Sequence, residues 1–246
     1  MRYFAKISYK GTRYFGWQKQ PKDISVQEKI EAALAVIFRE PTAVTGCGRT
    51  DTGVHAKDYV LHFDHRGDLP DDFISRLNKL LPKDIAFHRV SKVEDAAHAR
   101  FDANHRAYVY HIGAAKNPFT TNTAYHFPFF NKLDRDEMQK AAALLKAYDS
   151  FFPFCKSNTQ VKTMNCDIKR SEWIFGETEM VYHISADRFL RGMIRLIVGM
   201  CLNVGQGKLK LKEVEEALQK QERLRKSLSV PPQGLFLEDI RYPYEW

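Results

Sequence analysis

Long hydrophobic runs are missing from this chain. Its longest apolar stretch, Met193 to Leu202, is broken by Arg195 and is far too short to cross a bilayer, so no membrane span is expected. The opening Met1-Arg2-Tyr3-Phe4-Ala5-Lys6 passes straight into alternating sequence without a charged head and apolar core, so no signal peptide is expected. Cysteine is scarce: Cys47, Cys155, Cys166 and Cys201 form no Cys-x-x-Cys pair and no histidine stands at zinc-ligand spacing. Neither a metal site nor a disulfide framework is indicated, and free thiols suit a reducing cytoplasm. With 13 glycines and 10 prolines, collagen-like and low-complexity chains are excluded as well. Acidic residues are the minority charge, 30 Asp plus Glu against 38 Lys plus Arg, leaving +8 with histidine neutral. That balance favours an acidic partner, nucleic acid first, although the same charge also serves simple solubility.

What the chain does have is material for a core. Of its 246 residues 44% are hydrophobic and 13% aromatic, enough for one large or two smaller domains. Tyr3, Ala5, Ile7 and Tyr9 alternate as a strand, and Ser25-Val26-Gln27-Glu28 is a capping box opening a helix to about Phe38. Thr42 to Thr45, Tyr59 to Phe63 and Ile85 to Val90 read as strands, with a helix capped by Asp71 or Asp72 that carries Phe73, Leu77, Leu80 and Leu81. A second series follows. His105 to Ile112 is a strand, Asp134 with Glu137 caps a helix, and Asn165 to Phe175 pairs with Met180 to Ala186 across Gly176 to Glu179. Phe189 to Leu202 is a nearly all-apolar helix ended by Gly205 and Gly207, Leu211 to Leu218 is amphipathic, and Leu235 to Leu237 is a last strand. The fold class expected is α+β, in two halves, 1–103 and 104–246, sharing a largely antiparallel sheet.

The densest polar cluster is Gly46-Cys47-Gly48-Arg49-Thr50-Asp51-Thr52-Gly53-Val54-His55-Ala56, where glycines force sharp turns around an Arg, an Asp and a His. An Asp beside glycine ordinarily caps a turn. The alternative is a carboxylate presented from a rigid loop, with Arg49 holding a phosphate while Asp51 acts on the attached sugar or base. Spacing alone leaves both open. His55 reads better as a satisfied histidine beneath the loop than as a general base.

Gly48 to Ala56 closely resembles the signature loop of the TruA family of tRNA pseudouridine synthases, and the resemblance covers the whole chain. Tyr9-x-Gly11-Thr12-x-Tyr14-Phe15-Gly16-Trp17-Gln18 and Ser25 to Glu28 are similar to that family's opening. His98-Ala99-Arg100-Phe101-Asp102-Ala103 with Arg106-x-Tyr108-x-Tyr110 is similar to its middle; Phe189 to Gly199 and Pro231-x-x-Gly234-Leu235-x-Leu237 resemble its C-terminal half. The resemblance implies a pseudouridine synthase fold with a central active-site cleft. It implies an isomerase converting uridine to pseudouridine at tRNA positions 38, 39 and 40, in the anticodon arm, without metal or organic cofactor, acting in the cytoplasm as a homodimer.

Asp51 falls on the family's catalytic aspartate, and a carboxylate is a competent transient nucleophile while the glycosidic bond breaks and uracil rotates. Arg49 matches the residue that fills the space left when the target base flips out. Arg195 lies in a run apolar on all faces, where an Arg is almost never buried unpaired. Its stem either snorkels to the surface or its guanidinium pairs with Asp51, and the family pattern supports the pair. Tyr108 and Tyr110 share a strand face, where aromatics are ordinarily core. That suits Tyr110, while Tyr108 matches the family tyrosine that stacks on the target uracil and takes the C5 proton. Leu235 and Leu237 are expected to line the pocket, and Arg13, Lys19, Lys22, Lys57, Arg76, Lys79, Arg89, Arg106, Lys208, Lys210 and Lys212 are candidates for the RNA backbone.

Departures from the pattern are Thr52 where Ala is frequent, Leu196 at a position often Asn, and Tyr148 to Phe154 in place of the usual Asp-Phe-x-x-Phe. Two rival classes remain to be weighed. Asp51-Thr52-Gly53 is the triplet of aspartic proteases, but no second triplet completes the dyad, and a one-triplet homodimeric protease is far shorter. A catalytically inactive tRNA-binding protein of the same fold is the alternative, opposed by the intact Asp51, Tyr108 and Arg195.

Overall fold

The computed structural model describes residues 1–156 and 162–246. Two compact units divide the chain: Met1–Arg106 with Phe236–Trp246, and Ala107–Leu235.

In the first unit, β1 (Arg2–Tyr9) is flanked on both sides by antiparallel neighbours, β3 (His55–Asp64) and β4 (Ile85–Val93). Short β2 (Val44–Gly46) also pairs antiparallel with β3, and the C-terminal β9 (Leu235–Arg241) joins β3 in parallel, His55 opposite Phe236. Because β1 is central, it buries residues on both faces: Phe4 is as inaccessible as Ala5 and Ile7. Helix α1 (Val26–Phe38) starts where the capping box requires, with Ser25 accepting from the Glu28 N–H and Glu28 from the Ser25 N–H. It buries Val26, Ile30, Ala33 and Leu34, one stripe of three- and four-residue spacing. In α2 (Phe73–Leu80), Asp72 occupies the N-cap without a side-chain bond to the helix; Leu80 points outward, and Leu81, just past the helix, is the buried one.

The second unit holds β5 (His105–Gly113) beside β8 (Glu179–Ala186), which pairs antiparallel with β7 (Ile168–Phe175), while the two-residue β6 (Tyr125–His126) runs parallel to β5. The β7–β8 register places Phe175 opposite Met180, as the hairpin reading requires. Asp134 caps α3 (Arg135–Leu144) through the Glu137 N–H at 3.0 Å. The all-apolar helix is α4 (Met193–Gly205), and it begins four residues later than the hydropathy of Phe189 and Leu190 suggests. Gly192 at φ +70° takes a left-handed conformation that a helix cannot contain, and Phe189 is spent on a contact of its own. Gly205 lies inside the last turn; a Cβ there would stand 2.6 Å from Met138 Cγ, so its bareness admits α3. Gly207, at φ +66°, is past the end. Helix α5 (Leu211–Lys220) buries Val214, Ala217 and Leu218. Among the described residues the architecture is thus α+β, five α-helices on mixed, mostly antiparallel β-structure, and no helix is long and apolar enough to cross a membrane.

Candidate functional site

Asp51 stands on the connection from β2 to β3. Its carbonyl accepts the Val54 N–H at 3.1 Å, closing a four-residue turn whose third position, Gly53, has φ +77°. Such a turn demands a residue free to take positive φ, which explains the glycine. The turn is buttressed from Tyr9-x-Gly11 through Trp17. Gly16, at φ +83°, lies so close that a Cβ would come within 2.4 Å of the Thr50 carbonyl oxygen and 3.2 Å of Asp51 C. Trp17 N–H donates to Thr50 O, Gly53 N–H to Tyr14 O, and the hydroxyls of Tyr9 and Thr50 meet at 2.8 Å in a buried bond. Beneath the loop, Trp17 and Tyr59 pack with ring centroids 4.2 Å apart, and Tyr59 donates to Gly48 O at 2.6 Å. His55 is fully buried, accepts the Gly11 N–H on Nδ1 at 3.0 Å and stacks on Phe236. That is the supporting role expected of it. Asp51 is left half-buried on this frame and Arg49 exposed. Leu237 is buried on β9, in parallel register with Ala56.

A second loop of the same unit is tied to this one. Arg106 places Nη2 on both Cys47 O (3.1 Å) and Arg100 O (2.9 Å), with Nη1 on Ala103 O (2.9 Å). One guanidinium therefore joins the segment leading to Asp51 with residues 100–103, so Arg106 is built into the frame. The thiol of Cys47, wholly buried, is pushed up to about 12 by desolvation, making it inert at neutral pH. Within residues 98–103, His98 Nδ1 accepts the N–H groups of Arg100 and Phe101, Asp102 accepts the His98 N–H and the Tyr244 hydroxyl, and Tyr242 donates to Ala99 O. His62 Nδ1 takes the Ala99 N–H; burial first, then Arg2 and His98, push its pKa down to about 4.

In the second unit, Tyr108 is half-buried on β5 with its ring edge-to-face on Phe189, centroids 5.4 Å apart. Tyr110, two residues on, is buried and donates to Pro231 O at 2.6 Å, with its ionisation pushed far up by desolvation. Arg195 sits in the first turn of α4, half-exposed, its Nε donating to Val230 O at 2.7 Å. Arg195 and Tyr110 thus hold consecutive carbonyls of the segment that leads to Leu235, which is itself buried. Further along α4, a Cβ on Gly199 would fall 1.8 Å from Leu228 O, and Asn203 donates to Lys226 O at 3.1 Å. Residues 195, 199 and 203 form one stripe four apart, and that stripe carries the segment 226–230. Sequence reasoning took Arg195 alone; the signal it missed was the spacing of the non-apolar residues in an otherwise apolar helix.

Several of the cations read as RNA contacts have partners: Arg13 on Asp84, Lys19 on Glu31, Lys57 on Glu238 and Arg89 over the Trp246 ring. These exposed pairs are weak and exchangeable with phosphate. Leu196, noted as a departure, is buried. Of the segment Tyr148 to Phe154, Phe151 and Phe154 are core and residues 152–154 form a single 3₁₀ turn. Among the described residues no group of three or more His, Cys, Asp or Glu is placed to hold a metal ion.

Comparison with known proteins returns one consistent result. The family model described as tRNA pseudouridine synthase matches residues 5–102 and 146–243. A protein of Bacteroides fragilis named tRNA pseudouridine synthase A is 45% identical over 247 aligned residues, covering 99% of this chain and 97% of that protein. Relatives of the same name from Porphyromonas gingivalis and Bacillus pumilus are 44% and 35% identical, each over 98% of this chain.

Proposed function

Because the chain belongs to the tRNA pseudouridine synthase family, we propose that it isomerises uridine to pseudouridine at positions 38, 39 and 40 of the tRNA anticodon arm, with Asp51 as nucleophile. The observation that carries this reading is the Asp51 turn: a half-exposed carboxylate on a backbone fixed by Gly16, Gly53, Tyr14 and Trp17. Fixing the carboxylate before substrate arrives removes the entropy of orienting it, the main thing a protein adds to a nucleophile of ordinary chemistry. Asp51 adds transiently to the target nucleoside, the C1′–N1 bond breaks, uracil turns, C1′ bonds to C5, the bond to Asp51 breaks to return its carboxylate, and the C5 proton passes to a base while N1 takes up a proton.

Tyr108 is assigned to stack on the target uracil and to take that proton, its ring braced by Phe189. Arg195 is assigned to keep Asp51 ionised, Arg49 to occupy the space of the flipped base, and Leu235 and Leu237 to line the pocket. Arg49's exposure on the Asp51 loop supports its part. The reading extends to two related halves, 1–103 and 104–246, sharing a largely antiparallel sheet with a central cleft. In support, the first unit combines mostly antiparallel strands with helices, the second combines an antiparallel β7–β8 pair with helices, and the element orders β1-α1-β3-α2 and β5-α3-β8-α4 run alike. A homodimer gripping one tRNA, a cytoplasmic setting and the absence of any cofactor complete it.

Asp51→Asn tests the core of this proposal. The amide is nearly isosteric but cannot attack, so pseudouridine formation in tRNA should vanish while tRNA affinity stays within about twofold. Turnover by the purified variant would remove Asp51 from the mechanism. Normal binding with no turnover by the wild-type protein on tRNA carrying uridines at 38 to 40 would favour the inactive tRNA-binding alternative.

A further inference from the structure

Phe101 leaves 74% of its surface in water although its backbone N–H is held by His98 Nδ1. Exposure alone marks nothing: Phe119 is 94% exposed, but its turn is closed by local bonds, Phe119 and Thr120 N–H onto Asn117. Phe101 differs because its own N–H and that of Arg100 are both fixed on His98 Nδ1, and Arg106 holds the Arg100 carbonyl. The His98 ring stacks behind the Phe101 ring at 4.2 Å with planes 28° apart, while the Arg100 guanidinium lies 5.8 Å from the Phe101 centroid. An aromatic plate stacked on one ring, largely in water and overlain by an exposed guanidinium that can turn aside to a phosphate, is what an unstacked nucleobase and its phosphate require. The same Arg106 nitrogen that holds this loop also holds Cys47 O, so a ligand fixed on Phe101 is in register with the loop that bears Asp51.

We propose that residues 98–103 form an RNA-docking platform in which Phe101 stacks on a nucleobase of the tRNA outside the target position and Arg100 contacts a phosphate. The proposal rests on the reading of this chain as a tRNA-modifying enzyme and names a positioning surface of that enzyme. It commits to RNA over a second copy of the chain because the exposed ring is joined to a guanidinium in a protein of net charge +8.

Four variants test it, all at exposed side chains. Phe101→Ala should weaken tRNA binding by about 5- to 100-fold, the range of a lost base–aromatic stack, with KM rising far more than kcat falls and the salt dependence unchanged. Arg100→Gln should flatten the plot of log affinity against log salt by about one unit. Phe101→Trp should bind as wild type and report stacking directly, as fluorescence lost on adding tRNA beyond that of the wild-type protein. Binding of Phe101→Ala at wild-type strength, or Phe101→Trp fluorescence that tRNA does not change, would overturn the platform. So would a changed sedimentation of free Phe101→Ala, which would give the ring to self-association, or restored binding in Phe101→Leu, which would reduce it to apolar bulk. Wild-type protein assayed on the same tRNA separates the two levels. Wild-type turnover with a silent Phe101→Ala sinks the platform alone, whereas absence of wild-type turnover sinks the enzymatic reading and leaves binding to judge the platform.

Discussion

Replacing Gly16 by alanine separates the support of the Asp51 loop from the chemistry it carries. Two costs are expected. At φ +83° an alanine pays the left-handed penalty, about 1 kcal/mol. Its Cβ would also lie 2.4 Å from the Thr50 carbonyl oxygen, roughly 1 Å inside van der Waals contact, and 3.2 Å from Asp51 C. Neither neighbour is a flexible side-chain tip; both are backbone of the turn itself. Relief therefore means moving the Thr50–Asp51 peptide by several tenths of an ångström or more, at about 1–3 kcal/mol for overpacking.

Gly67 supplies the control. It too has positive φ, +95°, but a Cβ there meets nothing within 4 Å, so Gly67→Ala pays the backbone penalty without the contact. Urea unfolding should show Gly67→Ala down by about 1 kcal/mol and Gly16→Ala by about 2–4. Single-turnover pseudouridine formation, measured where both variants are folded, should fall about 100-fold in Gly16→Ala and little in Gly67→Ala, because a shift approaching 1 Å at a reacting group has that effect. Equal single-turnover rates in the two folded variants would refute the idea that the close approach of Gly16 sets the position of Asp51.

Tyr108→Phe keeps the ring against Phe189 and deletes the hydroxyl, so tRNA affinity and its salt slope should stay near wild type while turnover drops sharply; normal turnover would reduce Tyr108 to a stacking surface. His62 makes stability pH-dependent. Folded, its pKa is about 4, and unfolded about 6.5, so between those values the unfolded chain binds a proton the folded one does not and stability falls as pH drops. The slope is at most about 1.4 kcal/mol per pH unit, and urea midpoints of His62→Asn should lack it; equal slopes would exonerate His62. Chelators should leave isomerisation unchanged, since the cysteines and histidines show no metal-ligand spacing, and an EDTA-induced loss reversed by a divalent ion acting on the protein would contradict this.

Local signals carried the fold reading wherever they act through neighbouring residues. The capping box at Ser25, the N-cap at Asp134 and the period of two in β1 each depend on atoms a few residues apart, and each element begins within a residue or two of its signal. The start of α4 was not legible because Phe189 and Leu190 have helix-like hydropathy, and the deciding fact is a backbone angle at Gly192. Two-residue β6 has no periodicity to read. The candidate site divides the same way. Arg49 and Asp51 were legible as a polar cluster between glycines. That Gly11, Gly16 and Gly46 are bare because Val54, Thr50 and Tyr59 press against them is a fact of long-range contact, and composition does not encode it.

The α4 stripe shows what a sequence of this kind does record. In Met193 to Gly205 the residues that interrupt the apolar run are Arg195, Gly199, Asn203 and Gly205. Three of them fall four apart, and each meets the segment 226–230 by a different device: a charged donor to Val230 O, an absent side chain at Leu228 O, and an amide donor to Lys226 O. A segment outside any helix or strand leaves its carbonyls to be satisfied from outside, and a buried apolar helix can do so only at such exceptions. The Arg195 guanidinium has five N–H donors, and Nε on Val230 O takes one. Holding the segment before Leu235 through Nε is thus a structural duty of Arg195, separate from the partnership with Asp51 proposed for it.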